Sequence, residues 1–157
     1  MIKEIFAVLL CLVAAYYDKK TLRIPNALTF GSLFLGLCLS SSWEEFGFKI
    51  LGIVFLFFFG MFRFMGMGDL KLWMALCAIL GFLDSAYAIG IGAFLLILHG
   101  LLQEPKETLQ IIKLTFSQFI YIKKVQPFEQ KEYAFAPYIL CGLILLLLFY
   151  HGKGVIF

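Results

Sequence analysis

An all-α, polytopic membrane bundle of about six transmembrane helices is the fold class the sequence predicts, from three observations. Of the 157 residues, 62% are hydrophobic and 15% charged, with a mean hydropathy of +0.96; a soluble domain of this size has too little interior for so much apolar surface. In hydrocarbon every backbone polar group needs an internal partner, which leaves helix bundles and closed barrels. Apolar runs at residues 50–59 and 140–149 lack the polar-apolar alternation of barrel strands, so helices are expected. The length suits one membrane-embedded domain over residues 1–157.

A span takes about 20 helical residues, fewer where flanking polar side chains snorkel. Segments on that scale run over residues 4–17, 26–42, 46–64, 70–83, 85–102 and 134–150. The first ends at Asp18-Lys19-Lys20. Its Val13-Ala14-Ala15 also fits a signal-peptide cleavage site, but Glu4 neutralises Lys3, and Lys19, Lys20 and Arg23 hold the other end inside. Pro25 suits the first turn of the second helix, where its missing N–H would have no partner. The third carries phenylalanines for packing or lipid contact, with Arg63 as an anchor at its end. Residues 72–98 form either one long helix or two short ones hinged at Gly81-Phe82-Leu83-Asp84-Ser85.

The basic residues decide between these. With two helices and the N-terminus outside, Lys19, Lys20, Arg23, Arg63, Lys71, Lys106, Lys113, Lys123, Lys124 and Lys131 fall inside, leaving Lys3, Lys49 and Lys153 outside. A single helix would split them almost evenly, so six spans with both termini outside are expected. Before the sixth lies a polar stretch, 103–133, whose Leu109, Ile112, Phe116 and Ile120 recur at helical spacing. It reads as a helix on the membrane surface or as a plain connector.

A net charge of +3 carries no nucleic-acid footprint. Cys11, Cys38, Cys77 and Cys141 lie inside apolar segments with no C-x-x-C pair, and read as small buried residues rather than a zinc or disulfide framework. G-x-S-x-G, H-E-x-x-H and P-loop motifs are absent from the sequence, and no cofactor or metal is expected.

Two aspartates stand out. Asp18 closes the first segment, and Asp69 follows two close glycines in Gly66-Met67-Gly68-Asp69-Leu70-Lys71-Leu72. An acid at a helix end is ordinary, and Asp69 as a plain N-cap is the bland explanation. Glycine's access to positive φ would instead let a tight turn present Asp69 and leave room for an extended peptide, making Gly66 and Gly68 supporting residues and Gly68→Ala harmful. Lys71 either steadies the Asp69 carboxylate or snorkels. In the six-span arrangement both acids lie on the cytoplasmic side. Two carboxylates in contact share one proton: the ionised one activates water and the protonated one polarises a carbonyl. Helix dipoles favour charge on Asp69, at a helix N-terminus, over Asp18, at a C-terminus, so Asp69 is expected to be the base. His99 reads as structural, and Asp84 belongs to the outer turn.

Tyr17-Asp18 running to Arg23-Ile24-Pro25-Asn26, then Gly66-x-Gly68-Asp69-x-Lys71-Leu72, then Phe135-Ala136-Pro137-Tyr138-Ile139 resemble the type IV prepilin peptidases in order and spacing. The resemblance implies a GxGD-type aspartyl endopeptidase with Asp18 and Asp69 as its catalytic pair. Its substrate would be a prepilin or pseudopilin whose basic leader is cut after a glycine at the cytoplasmic face of a prokaryotic inner membrane. Larger members carry a cytoplasmic insertion with two Cys-x-x-Cys pairs and also methylate the new N-terminus. This chain has no such pairs and is similar to the short form, which puts methyl transfer in doubt. Two other readings remain: a presenilin-like or signal-peptide-peptidase-like protease cutting within a transmembrane helix, and a non-enzymatic membrane subunit of a pilus or secretion system. A transporter is disfavoured, since no acid sits in mid-span.

Overall fold

Each apolar segment winds into a helix. The computed structural model describes residues 2–61, 66–103, 105, 108 and 134–152, and among them are six helices: α1 Ile2–Thr21, α2 Asn26–Cys38, α3 Trp43–Met61, α4 Met67–Leu80, α5 Phe82–Gln103 and α6 Ala136–Gly152. Arg63 and nearly all of the 103–133 stretch lie outside the described residues.

The shortest of the helices flanking the hinge sits at the centre. Leu72, Ala75, Leu76, Cys77, Ala78 and Ile79 of α4 are fully buried, as expected of a helix apolar on every face. It packs against α1, α2, α3 and α5, and α6 packs against α1 and α5. One core joins α1, α2, α4, α5 and α6; a smaller one joins Leu56 of α3 to Leu70, Met74 and Cys77 of α4.

The hinge expected after residue 80 is present. Gly81 adopts φ 102° and ψ 167°, a region essentially closed to residues with a Cβ, and its N–H donates to the Cys77 carbonyl at 2.9 Å. The chain therefore turns sharply, and α4 and α5 are separate helices. A second feature fixes α6 on α5. A Cβ on Gly142 would run into the carbonyl oxygen of Ala88, and one on Gly92 would lie 2.9 Å from that of Tyr138. Backbone thus lies on backbone, the contact that small residues permit between membrane helices.

At the end of the bundle holding the α1 N-terminus, Glu45 accepts from Lys3 Nζ at 2.6 Å and lies 3.0 Å from Lys49 Nζ. The Lys3 hydrogen bond is the main cause holding the Glu45 carboxyl down at about 2. Asp84 sits at this end too, accepting from the Tyr150 hydroxyl at 3.1 Å. A cavity of ≈ 540 Å³ lies there, with Lys3, Glu45, Asp84 and Tyr150 in its wall.

Outward, Phe34, Phe48, Leu51, Phe58, Phe94 and Phe149 are exposed. By length and composition α5 is apolar enough to cross a membrane, and α2 and α6 are shorter apolar helices. Cys11 and Cys77 are buried as expected, whereas Cys38 and Cys141 are exposed. The same apolar segment supplies inward and outward faces, and segment membership alone does not separate them.

Candidate functional site

The apolar segment ending at residue 17 understates α1, which continues through Asp18 to Thr21. Asp18 is thereby carried into the last turns of a buried helix face and is only 7% exposed. Leu22 then reverses the chain with φ 52°, its N–H donating to the Asp18 carbonyl at 2.9 Å. Thr21 Oγ1 donates to the carbonyls of Tyr17 and Arg23 at 2.9 and 3.0 Å. Ile24 turns back into the main core, and Pro25 is the N-cap of α2 rather than part of its first turn. The Arg23-Ile24-Pro25-Asn26 element is thus a pinned linker directing α2 away from the end of α1.

Asp69 stands on the first turn of α4, three residues after the N-cap Gly66. It is half-buried and precedes the apolar segment 70–83. Burial, and secondly the charge of Asp18, push its carboxyl from 3.8 up to about 6. Asp18 and Asp69 therefore meet electrostatically across the α1/α4 packing.

A donor from elsewhere in the chain completes the arrangement. Asp18 Oδ2 accepts the main-chain N–H of Ala136 at 2.9 Å, a buried bond across 118 residues. Ala136 opens α6, so the donor is one of the N–H groups a helix start leaves without an internal partner. The dipole expectation weighed each aspartate against its own helix only; here the N-terminus of α6 is directed at Asp18, and burial and Asp18 hold the Asp69 carboxyl above the usual carboxylate range.

The supporting residues are also redrawn. Gly66 has φ −57°, and among the described glycines Gly81 is the one with positive φ, so the Gly-x-Gly pair is not needed for a left-handed turn. Gly66 matters for space: a Cβ there would lie 3.1 Å from Asp69 Oδ2. A Cβ on Gly68 would stand 3.9 Å from Ile24 Cγ1, an ordinary contact. Gly66→Ala is expected to displace the Asp69 carboxylate and lower kcat several-fold. Gly68→Ala, against the sequence expectation, should fold and cleave within about twofold of wild type, since replacing a helical glycine by alanine costs nothing intrinsically; steady-state kinetics on the two variants separates them. Lys71 turns away from Asp69: its Nζ donates to Asn26 Oδ1 at 2.9 Å and lies 5.8 Å from the Phe30 ring centroid. It ties the start of α4 to the start of α2. His99 packs against Tyr138, ring centroids 5.7 Å apart, as a structural residue would.

The sequence reading missed the Ala136 N–H and the Asn26 side chain. The first is a main-chain group invisible in residue identity; Pro137 beside it was the local signal of a helix start.

Among the described residues the molecule is thus an all-helical bundle with a partly buried pair of carboxylates at one end. Residues 5–101 match the model of the type IV leader peptidase family. That is more than half of the chain, and the protein belongs to this family of membrane-associated proteases. No curated protein and no solved structure matches the chain. The matched residues include Asp18 and Asp69, and α6 lies beyond them.

Proposed function

We propose that the protein is a prepilin peptidase of a prokaryotic inner membrane, one peptidase domain over residues 1–157, in which Asp18 and Asp69 hydrolyse the bond after a glycine in the leader of a pilin or pseudopilin precursor. The observation that carries the mechanism is the joint placement of the two acids, with Asp18 held by the Ala136 N–H. The belt of exposed phenylalanines supports lipid as the surrounding solvent. The distribution of basic residues supports a multi-pass arrangement with the pair at the cytoplasmic face, where water is at hand.

Ionised Asp18 takes a proton from water as its oxygen attacks the scissile carbonyl carbon. Asp69 gives its proton to the carbonyl oxygen, which leaves a gem-diol. When the diol collapses, the C–N bond breaks, Asp18 passes its proton to the departing nitrogen, and Asp69 recovers one from the diol hydroxyl. Each carboxyl ends as it began. The partners are the precursor and the bilayer; no nucleic acid and no cofactor enters this scheme.

The test is cleavage of a leader peptide joined to its apolar helix, by purified protein in detergent, with products identified by mass spectrometry. The expected product ends at the glycine, and a glycine-to-leucine change at that position abolishes it. A cut inside the apolar helix would favour the presenilin-like reading, and no cut in any pilin precursor would favour the non-enzymatic one.

A further inference from the structure

We infer that the first turn of α6, through the main-chain N–H of Ala136, is a positioning element of the catalytic pair that keeps Asp18 oriented and in the ionised role. The inference rests on the proposed function in so far as Asp18 is catalytic. It extends the working site about 35 residues past the end of the segment matched to the family.

The argument begins with what Asp18 lacks. A carboxylate 7% exposed near the C-terminal end of its own helix gains nothing from that helix, whose spare groups there are carbonyls rather than donors. Among the described residues, the charged or titratable groups around it offer no cation. Asp69 on α4 has the same sign. Lys71 on α4 is engaged by Asn26. Lys19 and Lys20 on α1 are exposed, and Lys20 lies 5.9 Å from the Tyr16 ring centroid. His99 on α5 is turned to Tyr138. Bound to Asp18 Oδ2 instead is a buried main-chain donor at the positive end of a 17-residue helix.

That donor is held rigidly. The register of α6 on α5 is set by the backbone contacts at Gly92 and Gly142. Ile139 and Leu143, on the same buried face, are 0% exposed. The N–H points at Asp18 whichever residue supplies it, so the requirement falls on the position of the helix start. A donor fixed by helix packing orients one carboxylate oxygen and leaves the other for water, which is what a base in a shared-proton pair needs.

The experiment removes the N–H and, beyond that, only weakens the Phe135 carbonyl as an acceptor for the Tyr138 and Ile139 N–H groups, an effect the control also probes. Lactic acid in place of alanine at position 136 of the full chain turns that amide into an ester, and the hydroxy-acid analogue of tyrosine at position 138 serves as control. The Tyr138 N–H donates to the Phe135 carbonyl at 3.0 Å, so its loss loosens the same helix start away from the Ala136 N–H that meets Asp18. In the Asp69→Asn background, infrared titration of the remaining site carboxyl reads Asp18 directly and needs no catalytic activity. The 136 ester should raise that midpoint by about one pH unit, given the usual strength of a hydrogen bond to a charged group, while the 138 ester leaves it unmoved. In the wild-type background the 136 ester should lower kcat about tenfold with KM unchanged and shift the acidic limb of activity upward by a similar amount. An unmoved midpoint in the 136 ester, or equal shifts in both esters, overturns the inference. A shifted midpoint in a protein that cleaves no precursor would keep the inference about Asp18 and reject the peptidase reading.

Discussion

Asp69→Asn is expected to abolish peptide cleavage and at the same time to stabilise the protein. Loss of one member of a catalytic unit costs roughly 10⁴-fold in kcat/KM, and Asp18→Asn should cost as much. The two variants part company in stability. Asp69 is pushed up to about 6 in the folded protein, by burial first and by Asp18 second. A carboxyl whose folded value exceeds its unfolded value binds more protons in the native state between about pH 4 and 6, so stability is lost as pH rises through that window and stays lost above it. Asparagine removes the penalty. The gain at pH 7.5 should be about 1–2 kcal/mol once the partial exposure of the side chain is allowed for, and it should vanish near pH 4. Asp18→Asn should gain less, because it also exchanges the charged acceptor of the Ala136 N–H for a neutral one. Thermal unfolding at both pH values checks the order, and a larger gain for Asp18→Asn would return the base to Asp69. By the same sign, kcat/KM of the wild type should fall above about pH 6 as Asp69 loses its proton.

Gly142→Ala is expected to be the most damaging single methyl in the bundle. The added carbon meets the Ala88 carbonyl and the backbone of Gly92, atoms that cannot rotate aside, so the cost should reach about 3 kcal/mol, the upper part of the overpacking range. The loss should not stop at stability, because raising α6 off α5 also withdraws the Ala136 N–H from Asp18. Gly90→Ala, in the same helix pair with open space around the new carbon, should instead stabilise by roughly 0.5–1 kcal/mol. Denaturation in detergent together with cleavage rates compares the two; equal tolerance would mean that α5 and α6 are not in backbone contact.

The outline of this fold was legible because apolar length and charge placement are properties of segments. Six helices among the described residues, the break at Gly81 and both aspartates at one end were readable in that way. What escaped depended on neighbours far away in sequence. Asp18 lies inside α1 because Thr21 and Leu22 finish the helix after the apolar run has stopped. The donor its carboxylate meets belongs to a helix start 118 residues later, and no local dipole argument reaches that far. Lys71 is two residues from Asp69, about half a helical turn, so α4 directs the two side chains to different neighbours and the ammonium meets Asn26. The glycines before Asp69 suggested a left-handed turn, while the structure uses Gly66 for clearance and Gly68 as an ordinary helical residue.

α4 is 14 residues long. At 1.5 Å per residue it rises about 21 Å, well short of a hydrocarbon core of about 30 Å. α1, α2, α3 and α5 enclose it, so in a bilayer that shortfall would be closed by neighbouring protein rather than by lipid moving in. The helix that carries Asp69 would thereby be insulated from the thickness of the membrane around it, and its acid would answer to the bundle alone.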